Sequence, residues 1–263
     1  WIAARKGSGG ITSPESGKLA TFADGEWQGY NIVFQSQLYD AALDADGRFT
    51  IYPKENGVRV GKYMTLAFGC HYYSTAKRQT VARAVVTYEN PPTPKITTSP
   101  VTVELKGTME DDVDFEFEIK LQHSGFAIEG KVKDPGRIDH PSRYGYHVSV
   151  QGTLNPSAEM SFDEIKAAVD GWSLTLRPLD GRAVEYPYWK SMKSQGFKEA
   201  IIVGPWGRRV VTVDAPEKKD RETKASYAGT FGIYSDQASY RGFYLGRNGT
   251  DKQVAGRLDV EIE

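Results

Sequence analysis

The segment Val113-Asp-Phe-Glu-Phe-Glu-Ile-Lys-Leu121 alternates apolar and charged residues without a break. A two-residue period is that of a β-strand. Val113, Phe115, Phe117, Ile119 and Leu121 fall on one face, and Asp114, Glu116, Glu118 and Lys120 on the other. Gln122-His-Ser-Gly125 breaks the pattern, and Phe126-Ala-Ile-Glu-Gly-Lys-Val132 resumes it. The two runs predict a hairpin with one buried face and one wet face, as antiparallel sheets allow. Glu116, Glu118 and Asp114 share that wet face with Lys120, Lys131 and Lys133, so cross-strand pairing explains them better than a glycosidase carboxylate pair. His123 falls in the turn and is expected to be exposed.

Alternation of this kind recurs along most of the chain. Turns are predicted at Asp44-Ala-Asp-Gly47, Asn56-Gly57, Asp180-Gly181 and Asn248-Gly249, because these residues tolerate the positive φ of tight hairpins. Many short strands between such turns predict an all-β, antiparallel β-sandwich of jelly-roll type rather than βαβ units. One short helix interrupts the pattern. Ser161-Phe-Asp-Glu164 is a capping box, Asp163 and Glu164 suit the positive end of the helix dipole, and Gly171 is placed to end it. The helix is predicted over 162–169. The prolines of Asn90–Pro100 predict an extended surface connection, since proline donates nothing to a ladder. The β pattern gives way near Gly152–Met160. This suggests a sandwich domain over 1–155 and a second sandwich half or domain over 156–263.

Composition strengthens the β reading: 15 Tyr, 11 Phe, 5 Trp and 27 Gly in 263 residues. The charge balance, 33 basic against 34 acidic residues, lacks the basic excess of a nucleic-acid binder. No apolar run approaches the ~20 residues that span a bilayer. The chain begins with Trp1, which fits a processed product, and a secreted or periplasmic location is the expectation. Cys70 is the single cysteine; its apolar neighbours suggest a buried, inert thiol.

Candidate chemistry gathers on two predicted strands. From Arg143 to Gln151, Tyr144, Tyr146, Val148 and Val150 share one face, and Arg143, Gly145, His147, Ser149 and Gln151 share the other. From Tyr63 to Tyr73, the set Met64, Leu66, Phe68, Cys70 and Tyr72 is apolar. Tyr63, Thr65, Ala67, Gly69, His71 and Tyr73 lie opposite, where Ala67 and Gly69 leave room for a ligand. If the two strands share a sheet, His71, Tyr73, Arg143 and His147 form a set suited to proton abstraction beside a carboxylate. Arginine neutralises the acid, and histidine or tyrosine moves the proton. That is the logic of a polysaccharide lyase; solvated polar-face residues are the plainer alternative. No cofactor is expected. A divalent metal at His71, His140 and His147, beside Asp139, is the weaker option, because no HxH, HExxH or CxxC spacing supports it.

Tyr188-Trp189, within Tyr186-Pro-Tyr-Trp-Lys190, and Trp206 with Arg208, within Gly204-Pro-Trp-Gly-Arg-Arg209, are candidate sugar contacts, as is Tyr63. Aromatic rings pack on the apolar faces of sugars, and arginine bonds hydroxyls; the competing role is core packing. Trp172 and Phe231 are assigned to the core. Nucleotide-binding and GxSxG motifs are absent. The leading reading is an exported protein that binds and, if an enzyme, cleaves a polysaccharide or oligosaccharide as a lyase or glycoside hydrolase. The alternatives are a lipocalin-like barrel binding or cyclising an apolar small molecule, and a structural or adhesive sandwich module.

Overall fold

The computed structural model describes residues 10–60, 64–74, 78–133, 143–150, 161–168, 170–178, 182–186, 192–204, 207–214, 218–219, 226–227, 229–235, 240–249 and 253–263. For several strands, 64–74 and 143–150 among them, it describes backbone and register.

In chain order the strands are β1 Tyr30–Gln35, β2 Tyr39–Asp44, β3 Phe49–Glu55, β4 Val58–Arg59, β5 Met64–Ser74, β6 Gln79–Arg83 and β7 Val85–Glu89. Then come β8 Lys95–Thr97, β9 Val101–Met109, β10 Val113–Gln122, β11 Gly125–Lys133 and β12 Arg143–Val150. Helix α1, Phe162–Ala168, precedes β13 Ser173–Arg177, β14 Val184–Tyr186, β15 Met192–Phe197, β16 Glu199–Gly204 and β17 Gly207–Asp214. The last are β18 Lys218–Lys219, β19 Ser226–Tyr227, β20 Gly229–Ser235, β21 Tyr240–Gly249 and β22 Gln253–Ile262.

These strands build two large sheets. One has 11 strands in the order β15-β20-β21-β12-β5-β3-β2-β1-β8, with β4 beside β3 and β6 beside β5. The other has 9, in the order β14-β13-β16-β17-β22-β11-β10-β9-β7. Their pairings are antiparallel except β1 with β8. Strands from both sides of residue 155 lie in each sheet. The sheets stack on a shared core in which Ile32, Phe34, Leu43, Phe49 and Ile51 of one meet Leu105, Phe115, Phe117, Ile128 and Leu258 of the other. Side chains fill the space between two open sheets, so the arrangement is a sandwich rather than a closed barrel around an apolar ligand.

The hairpin read from the sequence forms with Gln122 opposite Gly125, which leaves His123 and Ser124 as a two-residue turn. His123 is exposed. On the wet face Lys131 pairs with Glu116 and Lys120 with Glu118, each at 2.7 Å. The Lys131 hydrogen bond holds the Glu116 carboxyl below its ordinary range. Asn56 and Gly57 both take positive φ, 50° and 80°, the backbone of a tight hairpin turn.

The capping box at α1 is formed. The Ser161 N–H and hydroxyl each donate to Glu164 Oε2 at 2.7 Å, and the Glu164 N–H donates to Ser161 Oγ at 3.3 Å. Gly171 follows with φ +77°, in the left-handed conformation that ends helices.

Two sequence expectations change. Asn248 and Gly249 are the last two residues of β21, paired with Gly145 and Tyr144, because a neighbouring strand claims their backbone. Within the proline-rich connection, Lys95–Thr97 adds a three-residue edge strand parallel to β1. Two of the connection's four prolines, Pro94 and Pro100, flank the paired residues, and an edge needs donors on one side only. The Asp180-Gly181 turn lies outside the described residues.

At the Asp44 turn, Asp44 Oδ1 accepts the N–H groups of Asp46 and Arg48, both at 2.9 Å. Burial raises the Asp44 carboxyl above its ordinary range, against the opposing pull of those amides. A carboxyl raised in the folded state adds stability below its unfolded value and loses it as pH climbs through the folded value. Asp44→Asn keeps the acceptor oxygen and removes the charge. The variant is expected to gain stability relative to the parent as pH rises from about 4 to about 7, read by urea unfolding at each pH. An unchanged difference across that range would contradict this.

Candidate functional site

The register of the 11-stranded sheet fixes which positions share its outer face. In β3, Phe49 and Ile51 are core residues and stand opposite Leu66 and Met64 of β5. Thr50 and Thr65, and every second position from them, therefore belong to the face turned away from the other sheet. On β5 that set is Thr65, Ala67, Gly69, His71 and Tyr73. β12 pairs directly with β5, placing Arg143 opposite His71, Gly145 opposite Gly69, His147 opposite Ala67 and Ser149 opposite Thr65. The register thus puts the two strands side by side, with these positions on one face. The side chains of His71, Tyr73, Arg143 and His147 lie outside the described residues, and backbone register alone places them.

The same register separates them along the strands. His71 and Arg143 are direct neighbours, roughly 5 Å apart across the strands. His147 lies four positions further on, roughly 13 Å along the strand direction. Tyr73 is two positions beyond His71 and opposite Thr80 of β6. His147 is flanked by small residues on both sides, Ala67 on β5 and Gly246 on β21. The row continues through Thr230 of β20 to Gly196 of β15. The floor beside His147 is therefore low, with Ala67 on one side and Gly246 on the other.

One end of this face is built of described side chains that carry no sequence motif. Val33, Ala42 and Trp27 are buried there, with Phe22, Tyr30 and Tyr52 packed on them. The Trp27 ring meets Tyr30 edge-on, with centroids 5.9 Å apart, and the Tyr30 and Tyr52 hydroxyls lie 2.9 Å from each other. The Arg59 guanidinium lies 4.4 Å from the Trp27 ring centre and 5.0 Å from that of Tyr52. Arg59 Nε donates to Asp40 Oδ2 at 2.9 Å, and Lys54 Nζ lies 2.5 Å from Asp40 Oδ1. The Asp40 side chain is only 2% exposed, so both cations are held by a buried carboxylate. Asp40 was missed from sequence; the local signal for it is a lone charge in Tyr39-Asp-Ala-Ala-Leu43, which is otherwise apolar on both faces of the strand. Its partners were not legible, because Arg59 comes from a different hairpin.

The remaining candidates separate. Arg208 lies on β17 in the nine-stranded sheet and pairs with the Glu263 side chain, so it does not join the His71 face. Its neighbour Arg209 points the other way, as strand alternation requires, and is 2% exposed. The Arg209 guanidinium donates to the Arg208 carbonyl at 2.8 Å, and burial lowers its pKa to about 10. Trp172 packs on the core. Tyr63, Asp139, His140, Tyr188, Trp189 and Trp206 lie outside the described residues. Among the described residues no group of three or more His, Cys, Asp or Glu side chains is arranged to hold a metal ion, and no helix is long and apolar enough to cross a membrane.

No family model and no curated protein matches the sequence. Solved structures of similar shape include the Slr1438 protein of Synechocystis sp. PCC 6803, at 10% identity and a TM-score of 0.47, covering 96% of this chain and 97% of that one. Another, from Escherichia coli K12, carries a provisional aldose 1-epimerase name, with 9% identity, a TM-score of 0.44 and coverage of 88% and 98%. A third is the 4-alpha-glucanotransferase of Thermococcus litoralis, with 10% identity and a TM-score of 0.43. This chain is covered to 96% there but spans only 40% of that protein. At these identities and scores the likeness assigns no residue a role.

Proposed function

We propose that the outer face of the 11-stranded sheet engages carbohydrate, and that the His71–Arg143 neighbourhood cleaves an acidic polysaccharide by elimination. The observation that carries this reading is the register pairing Arg143 with His71 and His147 with Ala67. In the proposed reaction Arg143 pairs with the carboxylate of a uronic acid unit, which acidifies the adjacent C–H. His71 takes that proton, a C=C bond forms, the C–O bond to the next sugar breaks, and Tyr73 supplies the proton to the departing oxygen. His147, further along the face, holds a neighbouring unit of the chain. With a formal net charge of −1, the chain does not draw in an acidic polymer by bulk attraction, so local cations such as Arg143 must supply the recognition. An exported setting goes with such a substrate.

The test is incubation with neutral and uronate-containing polysaccharides, followed by reducing-end formation and the ultraviolet absorbance of an unsaturated uronate. Absorbance growing only with acidic polymers is expected. His71→Ala is expected to lower its rate by about a hundredfold or more. His147→Ala is expected to raise KM with a smaller effect on kcat, because it removes binding away from the reacting atoms. Reducing ends without the absorbance would replace elimination by hydrolysis. No binding and no product on any glycan would end the carbohydrate reading and leave an adhesive or structural sandwich.

A further inference from the structure

We propose that Arg59, laid over Trp27 and Tyr52, is a subsite for the carboxylate of an acidic sugar, and that Glu26 occupies this subsite when no ligand is bound. The proposal rests on the reading that the outer face takes a glycan. It adds which end of the face reads the acid, and how the empty site is kept closed.

The two sides of the Arg59 guanidinium are held very differently. Nε is committed to Asp40 Oδ2 at 2.9 Å, and the Asp40 side chain is 2% exposed and held from its other oxygen by Lys54. Moving that carboxylate would take the opposite charge from Lys54, leaving its ammonium on the Ser36 carbonyl at 3.0 Å. Nη2 instead meets Glu26 Oε1 at 3.2 Å, a single contact to a side chain that is 66% exposed. Exposed pairs of this kind contribute little, because solvent screens them and two long side chains must be immobilised. A guanidinium offers a planar fork matched to a carboxylate. With one edge fixed and its face supported by two rings, the free edge is aimed in advance, and the ordering cost of binding falls. A ligand carboxylate can take the Glu26 position with no other rearrangement.

Location connects this subsite to the rest of the face. Lys54 and Arg59 are cross-strand partners, and Tyr52, two positions before Lys54, shares their face. Ile51 pairs with Met64, so Tyr52 lies level with the position just before β5 begins, four before Ala67. The subsite is therefore roughly 13 Å along the strand from the row of His147. A glycan running along β5 past His147 ends at Arg59.

The probes are sodium glucuronate and glucose, followed by tryptophan emission in the parent and in Trp27→Phe. Glucuronate is expected to give a saturable change that Trp27→Phe removes, and glucose none. Arg59→Met is expected to weaken the glucuronate response at least about tenfold, the scale of one lost charge-assisted contact. Glu26→Gln, which removes the charge of a side chain 66% exposed, is expected to tighten it by up to about fivefold. Glucuronate affinity unchanged in both variants would overturn the subsite. So would no glucuronate response from a protein that still binds acidic polymer, and the carbohydrate reading would then stand. A glucuronate response with no polymer binding would keep the subsite and sink the reading of the His71 face instead.

Discussion

Gly125→Ala is expected to destabilise the protein by about 3 kcal/mol or more, at the upper end of what overpacking costs. Gly125 begins β11 directly after the two-residue turn and pairs with both Gln122 and Glu261. A Cβ there would stand 2.1 Å from the Val260 carbonyl oxygen, far inside contact distance. That oxygen belongs to β22, which is hydrogen-bonded on its two sides to β11 and β17 and has no room to retreat. The Gly125 carbonyl also receives the Tyr39 hydroxyl at 2.6 Å, so displacing it disturbs a contact between the two sheets. Tyr39 is fully buried, and burial pushes its pKa well above the ordinary phenol range. Urea unfolding should show a lower midpoint at unchanged slope. Gly25→Ala is the comparison: a Cβ there meets nothing within 4 Å, and only its positive φ opposes the change. Its expected cost is about 1 kcal/mol. Equal costs at the two positions would refute the steric argument.

Asp40→Ala is expected to cost about 3 kcal/mol, the lower end of the range for breaking a buried ion pair. The lower end applies because Arg59 keeps 36% of its side chain exposed and can turn to water, whereas Lys54 keeps only 12%. Lys54 would then keep the Ser36 carbonyl at 3.0 Å and Arg59 the Glu26 carboxylate at 3.2 Å, but the buried carboxylate between them would be gone. The double variant Asp40→Ala/Lys54→Met is expected to recover part of the loss, because it removes the more deeply stranded charge. A double variant no more stable than Asp40→Ala would show that packing at Asp40, not charge, sets the cost. Asp40→Ala should also free Arg59 from its fixed edge, which would show as altered Trp27 emission.

Both predictions come from places where neighbours in space are remote in sequence. The hairpin around His123 was legible because its alternation, its turn and its charge pairs are all local. The capping box at Ser161 and Glu164 was legible for the same reason, and so was the division of β5 and β12 into apolar and polar faces. Asn248-Gly249 misled because the same dipeptide suits a turn or a strand end, and only a partner strand decides between them. Lys95–Thr97 was missed because a three-residue edge strand has too short a period to register among prolines.

Local alternation of side chains, turn chemistry and a helix cap are written in neighbouring residues, so the sequence alone determined an antiparallel β architecture and, where apolar and polar residues alternate as in β10, which face turns inward. Strand order is set by which hydrogen-bonding edges and apolar faces meet across tens of residues, and no local pattern carries it. Only the tertiary structure therefore put β12 beside β5, set His71 against Arg143 with His147 four positions away, and closed Arg59 over Trp27. Those placements depend on burying both sheets' apolar faces at once, a condition that no single segment can satisfy.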